Sequence, residues 1–124
     1  MHKHLWPLKV IAVLLRNQLW LKPRAWRAKR LVERLLHDAG YFPKSTGLDL
    51  GLSEASGLCL MVIFRTDSIL RQFDSTPLTN SLLHSFREEL SASGYPAKAI
   101  PLVSVTFHSY EEIIRSGGYY VYFN

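Results

Sequence analysis

Five histidines, one cysteine and two adjacent glutamate pairs are the groups in this chain best suited to catalysis or metal binding. A zinc site gathers Cys, His and carboxylate ligands from closely spaced positions on few elements. His37, His84 and His108 fall on three separate segments, and His2 and His4 stand by themselves near the start, so the spacing predicts neither metal nor cofactor. The pairs Glu88-Glu89 and Glu111-Glu112 could exchange protons, but neighbouring residues on a helix point in different directions, and neither pair converges on one substrate atom. Ser104, His108 and Ser109 place hydroxyls and an imidazole close in sequence without the geometry of a nucleophile and its base. No Gly-x-Ser-x-Gly elbow is present, and Gly117-Gly118 opens onto an expected strand, where a phosphate-cradling loop would open onto a helix. Cys59 lies inside the apolar run Leu58 to Phe64 and reads as a core thiol. The expectation is a protein with no catalytic residues, which acts by binding.

Two stretches could bind. Residues 1 to 44 hold ten Lys or Arg against Glu33 and Asp38, whereas residues 45 to 124 hold five basic and eight acidic side chains, within a net charge of +5. The basic part could meet an anionic partner. As a nucleic-acid surface, Lys22, Arg24, Arg27, Arg30 and Arg34 would contact phosphates, with Trp20 or Trp26 stacking on bases. The second stretch is the aromatic end Tyr119-Tyr120-Val121-Tyr122-Phe123, whose rings could anchor a protein partner.

The elements that must position these residues follow from periodicity. Pro7 suits a first helical turn, and Leu8, Ile11, Ala12, Leu15 and Leu19 predict a helix to about Trp20. Pro23 marks a break and the next N1 position, after which Ala25, Ala28, Val32, Leu35, Leu36 and Ala39 form the apolar stripe of a second helix ending at Gly40. A possible short strand over Leu48 to Leu52 precedes a buried strand over Leu58 to Phe64. Leu78, Leu82, Phe86 and Leu90 give a central helix stopped by Gly94 and Pro96. Ile100 to Phe107 reads as a strand, and Ser109 with Glu112 as the capping box of a short helix. Gly117 and Gly118 end that helix, and Tyr119 to Phe123 reads as a final strand. Together these predict one α+β domain over residues 1–124, with two N-terminal helices and a central helix packed on a small, mainly antiparallel sheet. The apolar stretch Leu5 to Leu15 is interrupted by Lys9 and too short to span a bilayer, so a cytoplasmic protein without an integral membrane span is expected.

The segment Val103-Ser-Val-Thr-Phe-His-Ser-Tyr-Glu-Glu-Ile-Ile-Arg-Ser-Gly-Gly-Tyr-Tyr-Val-Tyr-Phe resembles the closing strand, Ser-led helix and aromatic strand of small immunity proteins from bacterial contact-dependent inhibition and related polymorphic toxin systems. That resemblance implies a non-enzymatic antitoxin that occupies or distorts a cognate toxin domain. Such toxins are often nucleases with basic clefts, which favour an acidic inhibitor, and the net charge of +5 departs from that pattern. The acidic and aromatic groups Asp67, Asp74, Glu111, Tyr119 and Tyr122 are accordingly the expected partner-binding residues, with the arginine-rich second helix as the alternative surface.

Overall fold

The structure, a computed structural model, describes residues 8, 11, 12, 20–49 and 57–124. It is a mixed α+β arrangement. Helix α1 spans Lys22–Asp38 and buries Ala25, Ala28, Val32 and Leu36, the three-and-four stripe visible in the sequence. Pro23 stands in the first turn of α1 as expected, where its missing N–H costs nothing, but Leu21 before it is already helical (φ −81°, ψ −40°), so no break separates them. The helix expected over residues 7–20 lies largely outside the described residues; of it, Leu8, Ile11 and Ala12 are helical and exposed.

Strand β1 (Ser45–Asp49) runs antiparallel to β2 (Cys59–Phe64), with Gly47 opposite Met61. Helices α2 (Asp67–Asp74) and α3 (Leu78–Ala92) and a 3-10 turn at Ile100–Leu102 then carry the chain to β3 (Ser104–Ser109), which pairs parallel to β2. The expectation of a mainly antiparallel sheet is therefore corrected: the order is β1-β2-β3, and one of its two pairings is parallel. Residues 65–103 form a crossover long enough to bring β3 in alongside β2 in the same direction.

Helix α2 was not anticipated from the sequence. Thr66 caps it by accepting from the Ile69 amide at 3.2 Å, Asp67 sits favourably in its first turn, and Phe73 is its buried anchor. Phe73 lies 5.0 Å from Phe64, 5.2 Å from Tyr41 and 4.6 Å from Phe107, ring centre to ring centre. This aromatic cluster joins α2 to β2, to β3 and to the chain leaving α1.

Helix α4 (Tyr110–Arg115) follows β3 directly and is capped as expected, Ser109 Oγ accepting from the Glu112 amide at 3.3 Å. Only half of the capping box forms, because the Glu112 carboxylate turns to Arg115. Helices α1, α3 and α4 close alike: Gly40, Gly94 and Gly117 take φ of 87°, 88° and 104°, and the residue after each donates back to Leu36, Leu90 and Ile113.

A second correction concerns the terminal strand. Residues Tyr119–Tyr122 form a single helical turn, α5, after Gly118 at φ 102°, ψ 179°, a conformation open essentially to glycine alone. Tyr122 N–H donates to Gly118 O and Phe123 N–H to Tyr119 O, each at 3.0 Å, so the backbone groups that a strand would offer a neighbour are satisfied locally.

Leu60, Val62 and Phe64 of β2 point to the helical side of the sheet and join the main core with Val32, Leu36, Phe73, Leu82, Phe86 and Leu90. Lys29, 9% exposed, pairs with Glu33 at 3.1 Å, and Glu33 accepts from the Thr46 hydroxyl at 2.9 Å, which fastens α1 to β1. Among the described residues no helix is long and apolar enough to cross a membrane.

Candidate partner-binding face

The strand register assigns the side chains of the second sheet face. Ser45, Gly47 and Asp49 of β1, Cys59, Met61 and Ile63 of β2, and Ser104, Thr106 and His108 of β3 alternate with the core-facing residues and so share this face. The C-terminal turn covers part of it. A helical turn brings positions i, i+3 and i+4 to one side, so Tyr119, Tyr122 and Phe123 gather toward the sheet while Tyr120 (83% exposed) and Val121 are left in solvent. A strand would have separated Tyr122 from the other two.

The contact is specific. His108 Nδ1 lies 2.9 Å from the Tyr122 hydroxyl and Nε2 lies 2.8 Å from Thr106 Oγ1, which in turn lies 3.7 Å from Cys59 Sγ. The Phe123 ring meets the imidazole edge-on at 5.1 Å. Burial lowers the pKa of His108, favouring the neutral ring that both hydroxyls can share. Burial, and after it the Glu112 carboxylate, raises the pKa of the Tyr122 phenol. Each member of this relay is bonded to the next, from Tyr122 through His108 and Thr106 to Cys59.

Beside the turn, Ser45 to Asp49, Met61, Ile63, Tyr119 and Phe123 line an open groove of about 550 Å³. Exposed Ile114, Tyr119, Tyr120, Val121 and Phe123 make this end of the molecule rich in apolar surface.

Four of the five expected partner-binding residues collect around α4. Asp67 accepts from Ser109 Oγ at 2.5 Å and from Arg115 Nη1 at 2.7 Å, while its own amide donates to Glu111 Oε1 at 2.8 Å. The Arg115 guanidinium, and next the Ser109 hydroxyl, hold the Asp67 carboxyl below the usual carboxylate range. Arg115 is shifted upward by the same bond and by Glu112. Asp67 and Glu111 thus splice α2 to α4, and much of their hydrogen-bonding capacity is used within the chain. Tyr119 is 43% exposed and Tyr122 faces His108. Asp74 is exposed at the far end of α2, about 10 Å from Asp67 along the helix axis. Ile114 and the Gly47–Met61 groove were not anticipated as surface, because their grouping with Tyr119 and Phe123 depends on α5 being a turn.

The alternative nucleic-acid residues are not equivalent. Arg24 donates to Ser93 O at 2.8 Å and to Trp20 O at 2.7 Å and stacks over the Trp20 ring, while Lys29 covers the Trp26 ring at 3.8 Å. Lys22, Arg27, Arg30 and Arg34 are exposed. The three arginines line an open groove with His37, but Glu33, Asp38 and Glu89 line it too, which offsets the attraction for a polyanion. Among the described residues no three of His, Cys, Asp and Glu stand together as a metal site.

Compared with family models, curated proteins and solved structures, this chain matches none.

Proposed function

We propose that this chain is a cytoplasmic immunity protein that binds and neutralises a cognate bacterial toxin domain without catalysis, using the C-terminal aromatic turn and the sheet face beside it. The observation that carries this reading is the exposure of Tyr119, Tyr120, Val121 and Phe123 on and beside a turn held to the sheet through His108 and Tyr122, with Ile114 of α4 exposed as well. Tyrosine and phenylalanine lose little conformational freedom on binding and bury large areas, which suits them to anchor a protein partner. A ring of polar groups, among them Asp74 and the residual surface of Glu111, would set orientation and association rate more than affinity.

On this reading a large toxin gene should stand immediately upstream, and the test is co-expression with its toxin domain. Growth should be restored, the two proteins should purify together, and Tyr120→Ala should weaken both effects while Arg27→Glu, Arg30→Glu and Arg34→Glu leave them intact. Complex formation lost only with the arginine reversals would move the interface to α1. Salt-sensitive binding of RNA or DNA, without toxin binding, would replace this reading with the nucleic-acid one.

A further inference from the structure

The first third of the chain is at once basic and apolar. Residues 1–32 hold eight Lys or Arg and no Asp or Glu, and residues 5–21 carry twelve apolar side chains with Lys9 and Arg16 as their charges. Apolar side chains so dense ordinarily belong to a core. Among the described residues, however, the buried core begins at Leu21, and Leu8, Ile11 and Trp20 ahead of it are 61%, 50% and 54% exposed. α1 continues this surface on the side turned away from the core, where exposed Trp26, Arg27, Arg30 and Arg34 follow one another at helical spacing. These three arginines have no hydrogen-bond or ion-pair partner among the described residues. Arg24 and Lys29 lie over the Trp20 and Trp26 rings, 4.2 and 3.8 Å from their centres, so each exposed indole is paired with a cation.

We propose that this face docks on an anionic lipid bilayer, with Leu8, Ile11, Trp20 and Trp26 entering the headgroup region and the arginines of α1 held against the lipid phosphates. Tryptophan, arginine and aliphatic side chains gathered on one surface match the boundary between headgroups and acyl chains, where each finds its own depth. An apolar run broken by Lys9 and Arg16 is too short to cross a bilayer, so the attachment is peripheral. A nucleic acid would meet the same arginines, but it offers nothing to cover Leu8 and Ile11, and this favours lipid. The acids near the arginines do not cancel the attraction. Glu33 is engaged by Lys29 and Thr46, Glu89 lies beside Leu31 and Leu35, and Asp38 stands about 18 Å from Trp26 along the helix axis, so the charge is least offset toward the tryptophans. Docking of this kind stands apart from the immunity reading: α1 covers one side of the sheet and the aromatic turn the other, which leaves Tyr120 open to a protein partner.

Flotation of the purified protein with phosphatidylcholine vesicles, with and without about one-third phosphatidylglycerol, tests it in the absence of toxin. The protein should float with the anionic vesicles, less so as salt rises, and far less with the neutral ones. Each cation near an anionic surface contributes roughly fivefold to partitioning, so Arg27→Gln, Arg30→Gln and Arg34→Gln together should weaken binding about a hundredfold. Leu8→Ser with Ile11→Ser should weaken it by about tenfold or more. All five side chains are exposed, so both variants should keep the wild-type circular dichroism. Absence of flotation, equal flotation with neutral vesicles, or indifference to both variants overturns the proposal. Binding of single-stranded RNA in place of vesicles would overturn it as well, and would assign the arginines to nucleic acid.

Discussion

Arg115 reaches Asp67 across 48 positions of sequence, its Nη1 donating to Oδ2 at 2.7 Å, and this bond closes the loop between the helix that follows β2 and the helix that follows β3. Both partners are at the surface, yet the geometry is over-determined. Ser109, itself the cap of α4, donates to the other carboxylate oxygen, and Glu112 takes the remaining face of the guanidinium. A capping hydroxyl, a salt bridge and the first turns of two helices therefore share one carboxylate.

The first prediction is a pH dependence. A carboxyl whose pKa is lower in the folded than in the unfolded chain adds stability above the unfolded value, here 3.8, and that addition is lost as pH falls toward and through the folded value. Wild type should accordingly melt above Asp67→Asn at neutral pH, and the gap should narrow as pH drops below about 4. A gap of constant size down to pH 3, measured by thermal denaturation, would separate the effect from the ionised carboxylate.

His108 gives a second profile, in a higher window. Its folded pKa lies below the ordinary 6.5 because the ring is partly desolvated, so the neutral ring favours the fold above that value and protonation opposes it as pH falls further. The groups facing it are Tyr122, Thr106 and Phe123, none of them anionic at neutral pH. Stability of the wild type should fall between neutral pH and pH 5, and His108→Gln should flatten that fall. Imidazole resonances that titrate at or above 6.5 would contradict the assignment.

Phe73→Ala should be the most damaging single change in α2, by about 3–5 kcal/mol, since it empties the site where Tyr41, Phe64 and Phe107 meet. Ser109→Ala removes a helix cap and one Asp67 bond and should cost about 1–2 kcal/mol. Denaturant titration ranks the two. The reverse order would mean that the electrostatic splice outweighs the aromatic cluster.

Gly118→Ala should release the C-terminal turn without unfolding the core, because alanine resists φ 102°, ψ 179°, at a cost of about 1–3 kcal/mol. Loss of the Tyr122–His108 contact in NMR spectra, with the β2 and β3 amides still protected, is the expected signature. Under the proposed function, toxin affinity should fall in the same variant. Tyr120→Ala, by contrast, should leave the melting temperature unchanged and cost about 2 kcal/mol or more of affinity.

Features written in local sequence were legible before the structure. The Ala25–Leu36 stripe, the apolar run of β2, the Ser109 cap and the glycine stop at Gly117 each depend on residues a few positions apart, and each stands where its spacing put it. Helix α2 was missed because eight residues give the Ile69, Leu70 and Phe73 pattern little room to repeat; Thr66 followed by Asp67 was the available cue. Tyr119 to Phe123 misled because aromatic preference for strands reflects a fit to a pleated, half-buried surface. Here Gly118 sends the chain back across the sheet, and its rings find that surface from a helical turn. The candidate site was only partly legible for a related reason: Asp67, Glu111 and Arg115 meet through contacts more than forty residues apart.

The parallel seam between β2 and β3 sets a timetable for the chain. β1 and β2 are neighbours in sequence and can close as a hairpin soon after synthesis, but β2 gains its other partner only when residues 104–109 arrive behind the whole of the α2–α3 crossover. Closing so long a loop carries an entropic cost that local contacts do not repay, which slows the step. During that interval the far edge of β2, with Leu60, Val62 and Phe64, is open to other strands. A chain ending before Ser104 would keep that edge permanently unpaired and should aggregate on expression, whereas one ending at Gly117, with β3 and α4 in place, should remain soluble.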